Sequence, residues 1–282
     1  MFNFLHTFNP QPILFRLGSL GIHWYGFLIA MGALLAFLVF YYLAQKYGLK
    51  KDDIYNLVFY VVIFGLIGDR LYYVFYAWGY YSKNLLDIFK IWEGGLAIHG
   101  AMIAGLVVII IYARRHKLSP WLILDILVVS LALAMAIGRW GNYFNQELFG
   151  WPTNLPWGIP ILPEHRMAEL MNFKYFHPTF LYESLWDLMI FVSLFSWHKL
   201  RLAKQKIPGQ IRGLGNISLV YFILYSVGRF LNEFLRIDYS PYFLGLRWAQ
   251  IMSLVIIGTC LLIIFYKIYK KVLFRPKAEV PG

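Results

Sequence analysis

The sequence has one cysteine, Cys260, and a lone thiol builds neither an internal disulfide framework nor a Cys-based metal centre. Charge is also scarce. Only 14% of the 282 residues are Asp, Glu, Lys or Arg, roughly half the share found in soluble globular domains. Acidic residues are the scarcer sign, 14 against 26 basic, which leaves a net charge of +12. No P-loop, Gly-x-Ser-x-Gly nucleophile elbow or His/Glu zinc spacing is present, and Gly213-Leu214-Gly215 lacks the third glycine and the strand of a dinucleotide fold. Apolar residues are abundant instead: 60% are hydrophobic, 20% are aromatic, and the mean hydropathy is +0.59. Such a composition is solvated by lipid and identifies an all-α integral membrane protein, since the apolar runs are continuous rather than alternating as in a barrel.

About 20 apolar residues cross the hydrocarbon core as a helix. Seven stretches meet that length, at about residues 17–43, 54–76, 94–113, 121–138, 178–197, 214–235 and 246–269, in a single membrane domain covering 1–282. No basic stretch precedes the first, which is also too long for a signal core, so it is expected to remain as a span. Sixteen of the 26 Lys and Arg fall in the first, third and fifth connections and the C-terminal tail, nine fall on the other side, and Arg70 lies inside a span. Cytoplasmic loops retain basic residues, so the N-terminus is expected outside and the C-terminus in the cytoplasm. The net charge is therefore mostly a topology device, and no nucleic-acid partner is called for. The longest connection, 139–176, is rich in Trp, Pro and Gly and is expected to form a small ordered cap on the outer face.

A charge in the apolar core costs about 2.5–3.5 kcal/mol on insertion scales, which makes each one a functional candidate. Arg229, Glu233 and Arg236 recur at spacings of four and seven, which puts the three charges on one helical face at the end of the sixth span. Two arginines for one glutamate suit either an internal ion pair or a bound anion such as phosphate. The fourth span runs into Gly138-Arg139-Trp140-Gly141-Asn142-Tyr143-Phe144-Asn145-Gln146-Glu147-Leu148-Phe149-Gly150, where glycines meet a dense set of donors and acceptors. His99 opens the third span, Asp69-Arg70 closes the second, and Glu183, after His177-Pro178-Thr179, is placed to pair with an arginine. The alternation of spans puts Tyr25, Asp69, Arg70, His99, Arg139, Glu147, Glu183, Arg229, Glu233 and Arg236 in the outer half of the membrane. Scaffolding charges would not segregate in this way. A polar, cationic cavity for an anionic lipid head group accounts for it, used either by an enzyme or by a non-catalytic lipid or anion transporter.

These residues resemble the bacterial prolipoprotein diacylglyceryl transferases along essentially the whole chain. The resemblance is carried by His23-Trp24-Tyr25-Gly26, Gly68-Asp69-Arg70-Leu71, Gly95 to Gly100, Gly138 to Gly150, Trp157-Gly158-Ile159-Pro160, His177-Pro178-Thr179 and Arg229 to Arg236. It implies transfer of the diacylglyceryl group of phosphatidylglycerol to the thiol of a lipobox cysteine in a preprolipoprotein signal peptide, within the bacterial cytoplasmic membrane. The products are a thioether and glycerol phosphate, with no cofactor and no metal. Tyr25, His99, Arg139, Asn142, Glu147, Gly150, Arg229, Glu233 and Arg236 match positions important in that family. On this reading Arg139 and Arg229 clamp the phosphate and Glu233 orients Arg229 and Arg236. Asn142 and Glu147 hold the signature turn and the glycerol end, and His99, Tyr25 or a phosphate oxygen accepts the thiol proton.

Overall fold

The computed structural model describes residues 2–204 and 213–273. Lys206, Arg212, Arg275 and Lys277, counted above among the cytoplasmic basic residues, lie outside the described residues. Within them the chain is a helical bundle. A short helix α1 (Phe2–Thr7) is followed by a two-stranded ribbon, β1 (Ile13–Leu17) and β2 (Leu20–His23), and then by α2 (Trp24–Lys46) and α3 (Lys51–Tyr76). After α4 (Trp78–Tyr81) come α5 (Ile98–Arg115) and α6 (Pro120–Phe144). The small strands β3 (Ile159–Pro160) and β4 (Tyr175–Phe176) pair antiparallel ahead of α7 (Thr179–Ala203). The chain closes with α8 (Asn216–Asn232), the hairpin of β5 (Tyr242–Phe243) and β6 (Leu246–Arg247), and α9 (Trp248–Leu273).

Six helices, α2, α3, α5, α6, α7 and α9, are long and apolar enough to cross a membrane. The sixth stretch expected from the sequence, 214–235, corresponds to α8, which has only 17 residues and, at 1.5 Å per residue, a length of about 25 Å. The chain turns sharply after Asn232, so Arg236 is not on that helix at all. Two further boundaries differ from the apolar pattern. Residues 13–23 are paired strand rather than helix, so α2 begins at Trp24 instead of near Leu17. At the other extreme, α6 continues through Arg139 to Phe144, because Trp140, Tyr143 and Phe144 keep an apolar stripe packed on Trp24 and Phe180.

Helix α6 is the axis of the bundle. Half of its most apolar window is buried in protein, more than in any other of the six. It packs against α2 and α7 and also meets α8, while α3 pairs with α5 and α8 with α9. Its first turn uses Pro120 after Ser119, the ordinary chemistry of a helix start. Near that end the carboxylate of Asp125, fully buried, accepts Arg201 Nη1 at 2.9 Å, the Gly215 amide at 3.0 Å, and the Ser218 amide and hydroxyl at 2.9 and 2.8 Å. His198 Nε2 donates to the Asp125 carbonyl at 3.0 Å, which leaves Nδ1 to accept from Tyr47 at 2.8 Å. One buried acid thus ties α6, α7 and the start of α8 at the end rich in Lys and Arg. A second, smaller core of Tyr143, Phe149, Ile159, Ile161, Phe176 and Phe180 orders the connection between α6 and α7 at the opposite end.

Candidate functional site

That opposite end gathers the C-terminal ends of α6 and α8 and the N-terminal ends of α7 and α9, and its organising residue is Glu183. The side chain is one turn into α7 and buried. Oε2 lies 2.9 Å from Arg139 Nε, an ion pair whose N–H is not aimed well enough for a hydrogen bond. Oε1 accepts Asn232 Nδ2 at 2.7 Å and Arg229 Nη1 at 3.1 Å, with Arg236 Nη1 at 3.8 Å. One carboxylate therefore faces three guanidinium groups from two helices and the turn after α8.

Glu233, also buried, lies 2.9 Å from Arg229 Nη2 and 2.9 Å from Arg247 Nε. The sequence pattern paired Glu233 with Arg229 and Arg236, but the turn after Asn232 carries Arg236 away, and Arg247 from β6 takes its place. Arg236 instead grips Asp238 in a fork, Nε to Oδ1 at 2.7 Å and Nη2 to Oδ2 at 3.0 Å. Burial pushes the Asp238 carboxyl up, but the Arg236 fork and the nearby Arg247 charge outweigh it and hold the group below the usual carboxylate range. Arg247 also donates to the carbonyls of Arg236 and Asp238. Arg139, Arg229, Arg236 and Arg247 outnumber by one the three carboxylates paired with them, Glu183, Glu233 and Asp238.

A cavity of about 240 Å³ opens on the cluster, lined by Arg139, Glu183, Asp187, Tyr225, Arg229 and Asn232 among others. Among the described residues, neither Nη of Arg139 meets a protein acceptor, so its fork is free to hold an anion within the cavity. Asp187, one turn further along α7 than Glu183, is buried on the same wall.

The signature segment braces this arrangement. After α6 the chain reverses through left-handed conformations at Gln146 and Leu148, with φ of 52° and 56°. The turn is locked by Asn142 Nδ2 donating to Glu147 Oε1 at 2.7 Å, by the Glu147 amide donating to the Asn142 carbonyl at 3.0 Å, and by a longer bond from Asn145 at 3.4 Å. Gln146 reaches the cap, where its Oε1 accepts the Leu162 amide at 2.8 Å. The Thr179 hydroxyl caps the Leu148 carbonyl. Gly150 then passes between two backbones: its amide donates to the His177 carbonyl at 3.0 Å, and it bridges Arg236 while the Trp151 amide donates to the Leu235 carbonyl at 2.9 Å. A Cβ at 150 would stand 2.7 Å from that Leu235 oxygen, so only glycine allows the approach. The loop thereby holds the backbone from which Arg236 projects.

The remaining sequence candidates lie elsewhere. Tyr25 is exposed and its ring lies against Gly141, where an added Cβ would come within 2.6 Å of it. His99 is exposed and stacks on Tyr72, with ring centroids 5.8 Å apart. Neither lines the cavity. Arg70 is structural: buried, it donates to the carbonyls of Asp87, Ile88, Lys90, Gly94 and Gly95 and so gathers the connection between α4 and α5. Arg247, Asp187 and Asp125 were not singled out from the sequence. The signal for the two aspartates was available, an acid inside an apolar run, whereas Arg247 sits at a span boundary where arginine is ordinary.

Residues 12–266 match the family model for prolipoprotein diacylglyceryl transferase. The chain belongs to this family. Curated relatives called phosphatidylglycerol–prolipoprotein diacylglyceryl transferase include one from Synechocystis sp., 43% identical over 265 residues and covering 93% of this chain and 92% of the relative. One from Acaryochloris marina is 45% identical over 252 residues, covering 89% and 88%. Another from Prochlorococcus marinus is 42% identical over 301 residues, covering 98% and 97%. As a member of this diacylglyceryl transferase family, the protein is a membrane-embedded transferase.

Proposed function

We propose that the protein moves the diacylglyceryl group of phosphatidylglycerol onto the thiol of a lipobox cysteine in a preprolipoprotein signal peptide, releasing glycerol phosphate. The observation that carries this reading is the free fork of Arg139 beside Arg229 on the wall of a cavity that Glu183 and Glu233 organise. The leaving group is a phosphate monoester, and preorganised guanidinium groups in a dry site stabilise the charge that develops on it. Arg139 and Arg229 clamp the phosphate. Glu183, rather than one helix face, sets their spacing, and Glu233 fixes Arg229 from the other side. Asn142, Glu147 and Gly150 hold the signature turn against Arg236, and Tyr25 and His99 contact the incoming lipid or peptide chains.

The distribution of Lys and Arg supports an external N-terminus, a cytoplasmic C-terminus, and a site facing the outer side of the bacterial cytoplasmic membrane, roofed by the 139–176 cap. Incubating purified protein with phosphatidylglycerol vesicles and a lipobox peptide tests the activity, read as the mass of the peptide. A mass raised by one diacylglyceryl group is expected. An unchanged peptide across lipid composition and pH would refute the reading, and near-normal turnover by Arg139→Ala or Arg229→Ala would refute the clamp.

A further inference from the structure

Attack on a glycerol carbon requires a thiolate, because the neutral thiol is a poor nucleophile. Most carboxylates near the site are already committed. Glu183 is engaged by Arg139, Arg229, Asn232 and Arg236; Glu233 by Arg229 and Arg247; Asp238 by Arg236 and Arg247; and Glu147 by Asn142 and Asn145. The imidazole of His99 is exposed on Tyr72, outside the cavity wall. Asp187 differs from all of these. It is only 3% exposed, it lines the cavity together with Arg139 and Arg229, and its carboxyl makes no hydrogen bond or ion pair among the described residues.

We propose that Asp187 is the residue that accepts the proton of the attacking thiol; the proposal rests on the transfer reading above. Arg139 on α6, Glu183 on the preceding turn of α7, and Tyr221, Tyr225 and Arg229 on α8 are the ionisable groups around it. The thiol S–H bond breaks and its proton moves to an Asp187 oxygen. The sulfur lone pair forms the S–C bond to the diacylglyceryl carbon, the C–O bond to phosphate breaks, and its electron pair stays on the phosphate oxygen. Protonated Asp187 then returns the proton to the departing glycerol phosphate, which leaves as the monoanion.

The charge of the site changes in step with this chemistry. An ionised Asp187 balances the surplus arginine charge before reaction. Once Asp187 is neutral, the surplus is restored in the presence of the thiolate and the developing phosphate monoester, when it is most useful. A general base of this kind contributes about 10²- to 10⁴-fold.

A selenocysteine lipobox peptide separates this role from packing, since a selenol ionises well below a thiol and needs no base. Asp187→Asn is expected to lower transfer to the cysteine peptide by about 10²-fold or more, while transfer to the selenocysteine peptide remains within about tenfold of wild type. Asp187→Glu, which keeps a carboxyl, retains most of the activity toward cysteine. Asp187→Ser is a second neutral variant that must show the same split should Asp187→Asn fail to fold. Equal losses on both peptides, or no loss on cysteine, would overturn the proposal. A wild-type protein inactive on both peptides would instead overturn the transfer reading itself.

Discussion

Glu183→Gln is the perturbation that most directly tests how the site is held. The substitution keeps the shape of the side chain and one acceptor oxygen but removes the charge shared by Arg139 at 2.9 Å, Arg229 at 3.1 Å and Arg236 at 3.8 Å. A single pair of unit charges 4 Å apart is worth about 4 kcal/mol at the effective dielectric of a protein site, and most of that is offset by desolvation in a working ion pair. Removing one partner leaves the others buried and uncompensated, which costs about 3–5 kcal/mol. For a chain of this size that corresponds to a fall in thermal midpoint of roughly 6–20 °C. Arg139 and Arg229 would also lose their common reference, and misplacing one preorganised donor costs about 10²- to 10³-fold in kcat. Thermal unfolding in detergent and the peptide-mass assay read the two effects separately. A variant that melts within about 2 °C of wild type and turns over normally would refute the reasoning that Glu183 organises the arginines.

Gly150→Ala forces a Cβ to within 2.7 Å of the Leu235 carbonyl, a backbone atom that cannot swing aside. It should reduce both transfer and thermal midpoint, and normal values for both would show that the loop yields without disturbing Arg236. Asp125→Asn should destabilise the fold by about 3–5 kcal/mol through its buried Arg201 partner, with the KM for phosphatidylglycerol unchanged in the folded fraction, because Asp125 lies at the far end of α6 from Arg139. The carboxyl of Asp238 is held below the usual range, so its contribution to stability is complete above the unfolded value near 3.9 and is lost as pH falls through the lower folded value. Asp238→Asn should accordingly flatten the acid limb of a stability–pH curve below about pH 4.

The apolar periodicity shows how much of the bundle can be read without coordinates. Continuous runs of about 20 residues declare helices, because only helices and closed barrels satisfy the backbone in lipid and barrel strands alternate in polarity. The boundary errors arose where local pairing or packing overrode hydropathy. Residues 13–23 are apolar yet pair as strands, and Arg139 interrupts an apolar run that aromatic packing carries on to Phe144. In the site, Arg139 and the Arg229–Glu233–Arg236 row were legible as costly charges. Their pairing was not, because extrapolating a helical face past Asn232 presumed a helix that ends there.

The sequence by itself determined that this protein lives in a membrane, which residues carry charge where charge is expensive, and, through its ordered motifs, the family to which it belongs. These follow from composition, run length and local spacing, all properties of neighbours along the chain. Tertiary structure alone decided that Glu183 and not Glu233 unites the three arginines, that Arg247 replaces Arg236 beside Glu233, and that Asp187 rather than His99 shares the cavity with Arg139. Residues from α6, α7, α8 and β6 meet there over tens of positions in sequence, and which carboxylate neutralises which guanidinium depends on how the helices cross and where each one stops.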